Sequence, residues 1–214
     1  MRPILFIDRD GVVLEEPATD FQIDHIDKTI FVPGVITNMQ TIANEFGYYK
    51  VMVTNQDGLG TEAFPTSTFQ PIQDLMLRTL KGEGVVFDEI LIDTTFAKDN
   101  APTRKPGTAL VQHLMDDAQF DLSISYVIGD RWSDIELAKN IGCKAIYIKS
   151  GLHALTAEQE TALRPFIAYE ANNWEEIYQF LKLGLRTVVH DRNTKETKIH
   201  IELNLDGRGE ASIH

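Results

Sequence analysis

Cysteine is almost absent from this sequence, since Cys143 is the only one among 214 residues. A single cysteine excludes an intrachain disulfide and a metal site of several thiolates, and it is typical of proteins from reducing compartments. No stretch approaches the roughly 20 apolar residues that a membrane helix requires, and the apolar start of the chain meets an acid at Asp8, too early for a signal peptide. We therefore expect a cytoplasmic protein with no membrane partner.

Positive charge is in short supply as well. Lys and Arg total 20 against 32 Asp and Glu, so the formal net charge is −12 at pH 7. A phosphate backbone repels a surface this acidic, which excludes general nucleic-acid binding and favours a small ligand or a bound cation. Apolar residues make up 43% of the chain and charged residues 24%, a balance that excludes disorder as the main state.

Short apolar runs alternate with helical patterns along most of the chain. The runs cover residues 4–7, 51–53, 90–92, 126–128 and 145–148, and they are nearly continuous, as expected for strands buried on both faces. Helical patterns begin after Pro33, near Phe69, after Pro106 and near Ile135, and a last one covers residues 173–183. This alternation predicts an α/β fold, a three-layer Rossmann-like parallel sheet with helices on both faces. Ligands of such folds bind outside the carboxyl ends of the strands.

Polar residues stand at or near those strand ends. They are Asp8, Asp10, Thr54, Asn55, Lys105, Asp130 and Asp134. Each alone has an ordinary explanation, such as a solvated turn acid, an Asx turn, a loop lysine or an acid favoured by a helix dipole. Together, acids, one lysine and neutral donors at one sheet edge are typical of a site for Mg²⁺ and a phosphoryl group. There Asp8 can act as a nucleophile, and Asp10 is placed to protonate the leaving oxygen.

The same residues resemble the four motifs of the haloacid dehalogenase superfamily of phosphohydrolases. The motifs are DRDG at 8–11, Thr54-Asn55, Lys105 and GDxxxD at 129–134, in that order along residues 1 to about 150. The resemblance implies that Asp8 forms an aspartyl phosphate and that Asp10 is general acid and then base. The other implied roles are Mg²⁺ binding by Asp8, the Asp10 carbonyl and Asp130, phosphate binding by Thr54, Asn55 and Lys105, and orientation of the metal site or Lys105 by Asp134.

Longer strings narrow the resemblance to one group within the superfamily. FIDRDG, VTNQDGLGT, FDEILI, RKP and YVIGDR are similar to the histidinol-phosphate phosphatases, and RNTKETKIHIELNLDGRG resembles the opening strands of imidazoleglycerol-phosphate dehydratase. These two domains occur fused in a bifunctional enzyme of histidine biosynthesis. The resemblance implies a phosphatase domain over residues 1–184 and a truncated start of a dehydratase domain over residues 185–214. The implied reaction is Mg²⁺-dependent hydrolysis of L-histidinol phosphate.

Two segments bear on the substrate. Relatives often carry a structural zinc on a Cys/His loop before RKP, but residues 93–103 here contain neither residue type, so no zinc is expected. Packing of Phe96 and Pro102 is the candidate means of ordering that loop. The flap segment, residues 14–31, is too short to bury a core of its own, so no cap domain is expected. Glu16, Asp57 and Arg104 are the candidate substrate-binding residues, with the two acids facing the cationic end of the substrate.

Two alternative functions stay open. Sugar phosphatases such as the heptose bisphosphate phosphatases share DRDG and the missing cap, so the same chemistry could act on a sugar phosphate. A phospho-receiver signalling module also uses Asp, Mg²⁺, Thr and Lys on a parallel sheet. In a receiver the phosphorylated Asp ends a later strand than the acidic pair, whereas DRDG here ends strand one.

The end of the chain has a different pattern. Residues 186–190 and 198–205 alternate apolar and polar side chains, which predicts a β-hairpin with a polar turn over residues 191–197. The apolar face of this hairpin comprises Val188, Ile199, Ile201, Leu203 and Leu205. Such a face needs cover, which either folding back on the phosphatase domain or pairing in a homodimer would supply.

Overall fold

The computed structural model describes residues 1–184, 187–194 and 197–204, and its centre is a parallel sheet. Within those residues the sheet has six strands: β1 (Ile4–Ile7), β2 (Tyr49–Asn55), β3 (Glu89–Asp93), β4 (Tyr126–Gly129), β5 (Lys144–Ile148) and β6 (Ile167–Ala171). They lie in the order β3-β2-β1-β4-β5-β6, and each neighbouring pair is parallel. The ends of β1, β2 and β4 are therefore adjacent, which brings the predicted site residues to one edge.

Helices cover both faces of this sheet. They are α1 (Val35–Glu45), α2 (Thr66–Gly82), α3 (Gln112–Met115), α4 (Trp132–Ile141), α5 (Ala157–Leu163) and α6 (Trp174–Gly184). Alternate residues of β1 point to opposite faces: Leu5 and Ile7 join the core under α1, α2 and α6, and Ile4 and Phe6 join the core under α3, α4 and α5. The predicted three-layer α/β fold is confirmed. In the described ranges, no helix combines the length and apolarity needed to cross a membrane.

Three elements differ from the sequence-based expectation. The pattern analysis missed β6 and α5. β6 is an edge strand whose residues are mostly half-buried rather than a continuous apolar run. α5 has Leu163 as its single buried residue, so it has no apolar stripe. The helix predicted after Pro106 shrinks to the single turn of α3, although Val111 and Leu114 are buried as its pattern required. A turn over residues 109–111 precedes α3, and Gly107 lies so close to the backbone of Pro102 that a Cβ there would stand 2.3 Å from Pro102 O.

The flap segment folds across the sheet edge without forming a separate lid. Leu14 forms isolated bridges with Asp10 and Phe31, and Glu15 N donates to Ile30 O at 2.7 Å. Among the residues that the structure describes, the flap's regular structure beyond these bridges is one 3₁₀ turn, Ile26–Lys28. Residues 1–184 contain no cap domain, as expected from the short insertions, so the edge of the sheet is open to the cavity.

The C-terminal strands form a hairpin with a shorter turn than predicted. β7 (Thr187–Asn193) pairs antiparallel with β8 (Lys198–Asn204) in a sheet of their own. The prediction of a turn over residues 191–197 was wrong, because residues 191–193 pair with residues 198–200. Backbone pairing needs no apolar side chains, so the polar end of β7 was not visible as strand. Ile199 and Ile201 are exposed, and the predicted strand residue Leu205 lies outside the described residues.

Candidate active site

A buried lysine joins two of the predicted acids at the carboxyl edge of the sheet. Lys105 Nζ lies 2.8 Å from Asp8 Oδ1 and 2.7 Å from Asp134 Oδ1. All three side chains are buried. Burial alone would lower the pKa of Lys105, but the carboxylates of Asp134 and Asp8 outweigh burial and raise it. The lysine is therefore a fixed positive charge beside Asp8.

Asp130 supplies an unbalanced acid next to this group. The carboxylate is fully buried, and neither oxygen has a hydrogen-bond partner among the described residues. The Asp130 carboxylate pairs only distantly with Arg131, whose Nε lies 4.0 Å from Oδ1. Burial, together with the charges of Asp8 and Asp134, raises the pKa of Asp130 to about 8, although the nearby Ser150 hydroxyl and Arg131 oppose the shift.

The acids fit a divalent cation. Asp8, Asp130 and Asp134 each offer a carboxylate oxygen, and these atoms lie within 4.8 Å of one another. Gly11 leaves room at this point, because a Cβ there would stand 2.2 Å from Asp130 Oδ2. A buried carboxylate without a partner is costly unless a cation satisfies it, and clustered oxygen donors suit a hard cation such as Mg²⁺.

Asp10 is held by two residues that the sequence analysis did not single out. Arg9 Nη1 donates to Asp10 Oδ1 at 2.6 Å, and Gln56 Nε2 donates to Asp10 Oδ2 at 2.8 Å. The Arg9 guanidinium is fully buried and lies 4.9 Å from the centre of the Phe69 ring. Both residues belong to the quoted motif strings. Arg9 is the chain neighbour of Asp10, whereas folding brings Gln56 to Asp10 and Phe69 to Arg9.

Thr54 and Asn55 lie beside Asp10 and Lys105. Gln56 Nε2 also donates to Thr54 Oγ1 at 2.9 Å, which leaves the Thr54 hydroxyl hydrogen available for another acceptor. Asn55 Oδ1 accepts from Lys105 N at 3.0 Å, and Asn55 Nδ2 donates to Lys105 O at 3.2 Å. In this arrangement Asn55 fixes the backbone of Lys105.

The three candidate substrate-binding residues line the same cavity, which has a volume of about 1000 Å³. Glu16 is already paired there, since its carboxylate contacts Arg131 Nη2 and His153 Nε2. Burial raises the pKa of Glu16, although His153 and Arg131 oppose the shift. The sequence analysis missed both partners of Glu16, because they lie more than 110 residues away along the chain.

Asp57 and Arg104 pair with each other at the cavity wall. Arg104 Nη1 lies 2.5 Å from Asp57 Oδ1, and Arg104 Nη2 lies 3.1 Å from Asp57 Oδ2. The exposed rings of Phe21, Phe96 and Trp132 also line this cavity. The cavity is therefore lined both by charged side chains and by exposed aromatic rings.

Curated proteins similar to this chain carry one description. The chain is 46% identical to the Histidine biosynthesis bifunctional protein HisB of Bacteroides fragilis over 212 residues, which are 99% of this chain and 56% of that protein. It is 46% identical to the protein of the same name from Spirosoma linguale over 220 residues, 100% of this chain and 57% of that protein. The chain thus spans a little over half the length of these relatives.

Solved structures and a family model match the fold. The D,D-heptose 1,7-bisphosphate phosphatase from B. bronchiseptica, complexed with magnesium and phosphate, superposes with a TM-score of 0.69 at 24% identity and covers 85% of this chain and 98% of that chain. A HAD-like phosphatase from Mesorhizobium loti gives a TM-score of 0.65 at 25% identity, with 85% of each chain covered. Residues 102–171 match the model of the HAD-hydrolase-like family. The chain therefore shares its fold with the haloacid dehalogenase-like (HAD) hydrolases and is similar to them in sequence over residues 102–171.

Proposed function

We propose that this chain is a Mg²⁺-dependent phosphomonoesterase and that residues 1–184 carry the activity. The observation that carries the proposal is the buried Lys105 bound to Asp8, with the buried Asp130 carboxylate beside them, whose oxygens accept no hydrogen bond from the described residues. In this arrangement Asp8 is a nucleophile, Lys105 is a cation that can bind the phosphate, and Asp130 is a buried carboxylate that a metal ion would stabilise. Likeness to HAD phosphatases in fold supports the same reaction class.

Asp8 is the nucleophile in this proposal. Its Oδ1 accepts from Arg9 N at 2.7 Å and lies 2.8 Å from Lys105 Nζ, so Oδ2 is the oxygen that attacks phosphorus. The attack forms an aspartyl phosphate while the bond to the leaving oxygen breaks. Asp10 gives its proton to that oxygen and then takes one from the water that hydrolyses the aspartyl phosphate. The water supplies the oxygen of inorganic phosphate, and Asp8 is regenerated.

The remaining acids and donors hold the charges in place. The Asp8 and Asp130 carboxylates and the Asp10 carbonyl would hold Mg²⁺, which when bound offsets the negative charge of the phosphate near Asp8. Asp134 accepts from Lys105 Nζ and from Arg131 N, so it orients the lysine. Lys105, the Thr54 hydroxyl and Asn55 bind the phosphate oxygens, Asn55 through the Nδ2 hydrogen that it does not donate to Lys105 O.

The substrate we assign is L-histidinol phosphate, and residues 185–214 begin a dehydratase domain. Identity of 46% along the whole chain to bifunctional proteins of histidine biosynthesis supports both assignments. Glu16, Asp57 and Arg104 contact the end of the substrate away from the phosphate. An amine or an imidazolium there would take the place of Arg131 and His153 on Glu16, or of Arg104 on Asp57. The net charge of −12 attracts the cationic end of this ester rather than its phosphate.

A heptose bisphosphate is the second candidate substrate, because a structural neighbour that covers 85% of this chain is a phosphatase for it. A phosphate-release screen with Mg²⁺ tests both, comparing histidinol phosphate with heptose, nucleoside and p-nitrophenyl phosphates. The expected result is the highest kcat/KM for histidinol phosphate and no release after Mg²⁺ is removed. Preference for a heptose ester would overturn the substrate, and release from no ester would overturn the reaction class.

A further inference from the structure

The loop between β3 and Lys105 is closed by a carboxylate that the proposed reaction does not use. Asp93, the last residue of β3, is 3% exposed. Its Oδ1 accepts from Thr95 N at 2.9 Å and from Thr95 Oγ1 at 2.6 Å. Its Oδ2 accepts from Thr103 Oγ1 at 2.5 Å. One side chain therefore joins the beginning of the loop to its end.

Neutral donors hold this carboxylate. The nearby cation of the loop, Arg104, points to Asp57 and to Thr95 O rather than forming an ion pair with Asp93. Burial alone would raise the pKa of Asp93, but the hydrogen bonds from Thr103 and Thr95 outweigh it and hold the pKa below its usual value. The charged carboxylate is thus the form that the loop stabilises.

Thr103 lies two residues before Lys105, and hydrogen bonds with the ends of two neighbouring strands hold both residues. Asp93 pairs in register with Asn55 across β3 and β2. Asn55 in turn exchanges two hydrogen bonds with the backbone of Lys105. The end of β3 therefore binds Thr103 and the end of β2 binds the backbone of Lys105. The side chain of Lys105 contacts Asp8.

We propose that Asp93, with Thr95 and Thr103, is a positioning device that fixes the lysine-bearing end of this loop through hydrogen bonds to a buried carboxylate. Residues 93–103 contain no Cys or His, the side chains with which the resemblance implies that related phosphatases bind zinc at this loop. A buried carboxylate with three short acceptor contacts makes the same kind of cross-link between the two ends. The role rests on the proposed function, because what it positions is the phosphate-binding Lys105.

Thr103→Val and Thr103→Ser form the matched pair that tests it. Valine keeps the shape of threonine and removes the donor to Asp93, whereas serine keeps the donor. Thr161→Val is the control, since that hydroxyl donates to Ala157 O in an exposed helix. We expect Thr103→Val to lower kcat/KM about 10- to 100-fold and to weaken inhibition by inorganic phosphate, as small displacements of a catalytic group do. Thr103→Ser and Thr161→Val should stay near the wild-type values.

Hydrogen exchange supplies a readout that is independent of turnover. The Thr95 amide, which donates to Asp93 Oδ1, should exchange faster in Asp93→Ala, and a zinc-selective chelator should change neither exchange nor melting temperature of the wild type. Wild-type kinetics in Thr103→Val, or equal loss in Thr103→Ser, would overturn the positioning role while leaving the phosphatase proposal standing. If Thr103→Val does not fold, Thr95→Val, which removes only one bond, decides by the same criteria. If the wild type hydrolyses no ester, the proposed function fails, and exchange at Thr95 still tests the cross-link.

Discussion

At the residue scale, the site places two carboxylates on one lysine and a third carboxylate beside Asp8 and Asp134. Asp8 and Asp134 share the charge of Lys105, whereas Asp130 receives none directly. Removing a single acid therefore changes both the chemistry and the local repulsion. The two effects can be separated because turnover needs a nucleophile, whereas folding needs only that buried charges be balanced.

Asp8→Asn should abolish turnover and leave the fold intact. The amide cannot attack phosphorus, but its oxygen can still accept from Lys105 Nζ, and one source of repulsion on Asp130 disappears. We expect no steady phosphate release and a melting temperature in metal-free buffer at or above that of the wild type. Asp116→Asn, at an exposed helix end, is the matched control. Steady turnover by Asp8→Asn would disprove the nucleophile assignment.

The raised pKa of Asp130 predicts how stability depends on pH without metal. In the unfolded chain this carboxyl has its ordinary pKa of 3.8, and in the folded chain the pKa is about 8. The folded state then binds the proton more tightly, so the stabilising contribution is complete below about pH 4 and is lost as the pH rises through about 8. The free energy of unfolding should fall by on the order of a few kcal/mol over this range.

Chemical unfolding from pH 5 to 8.5 in the presence of a chelator measures this effect. Asp130→Asn should flatten the profile, and Mg²⁺ should raise the wild-type melting temperature more at pH 8 than at pH 6. An identical slope in the wild type and Asp130→Asn would show that another group causes the pH dependence.

At the element scale, the turn after β1 must bring its backbone against the end of β4. Gly11 has a φ of +77°, and a Cβ there would stand 2.2 Å from Asp130 Oδ2. Gly11→Ala should therefore impair both Mg²⁺-dependent stabilisation and turnover. Gly84→Ala is the control, because Gly84 has a φ of +82° with no atom within 4 Å of the added Cβ. It should cost only backbone strain, about 1 kcal/mol. Equal effects of the two variants would exclude a role for the close approach.

The flap contributes Glu16 to the cavity through contacts with Arg131 and His153. If the proposed substrate end binds here, Glu16→Gln should raise KM for histidinol phosphate several-fold and leave KM for p-nitrophenyl phosphate, which has no cationic end, unchanged. Asp57→Asn should act in the same direction and also loosen Arg104. Unchanged KM for histidinol phosphate in both variants would place specificity elsewhere.

At the scale of the whole molecule, β7 and β8 form a sheet separate from the parallel one. Truncation after Gly184 should leave kcat/KM for phosphate release within about twofold, since every residue in the proposed chemistry lies before it. We expect any change to be confined to self-association, measured by sedimentation, because exposed Ile199 and Ile201 would be removed. Loss of turnover in the truncated chain would show that the proposed boundary at residue 184 cuts into the phosphatase.

The sequence alone was sufficient to predict the class of fold and the acids at the ends of β1 and β4. Buried parallel strands are continuous apolar runs, and the residues after them must meet at one edge, so local pattern and chain order carry that information. The edge strand β6 escaped prediction because partial burial leaves no such run. The DRDG motif could also be recognised from the sequence, since its two acids lie only two residues apart.

Folding decided which charges are balanced. The resemblance left open whether Asp134 orients the metal site or Lys105, and only the structure shows Lys105 between Asp8 and Asp134. Nothing in the spacing indicated that the Asp130 oxygens would lack a hydrogen-bond partner or that Asp93 would close the loop to Thr103. These contacts depend on distances between segments that only the packed sheet brings together, and on burial, which sets the cost of an unpaired charge. Sequence pattern therefore determined where chemistry could occur, and tertiary structure determined which groups are charged, held or left for a cation.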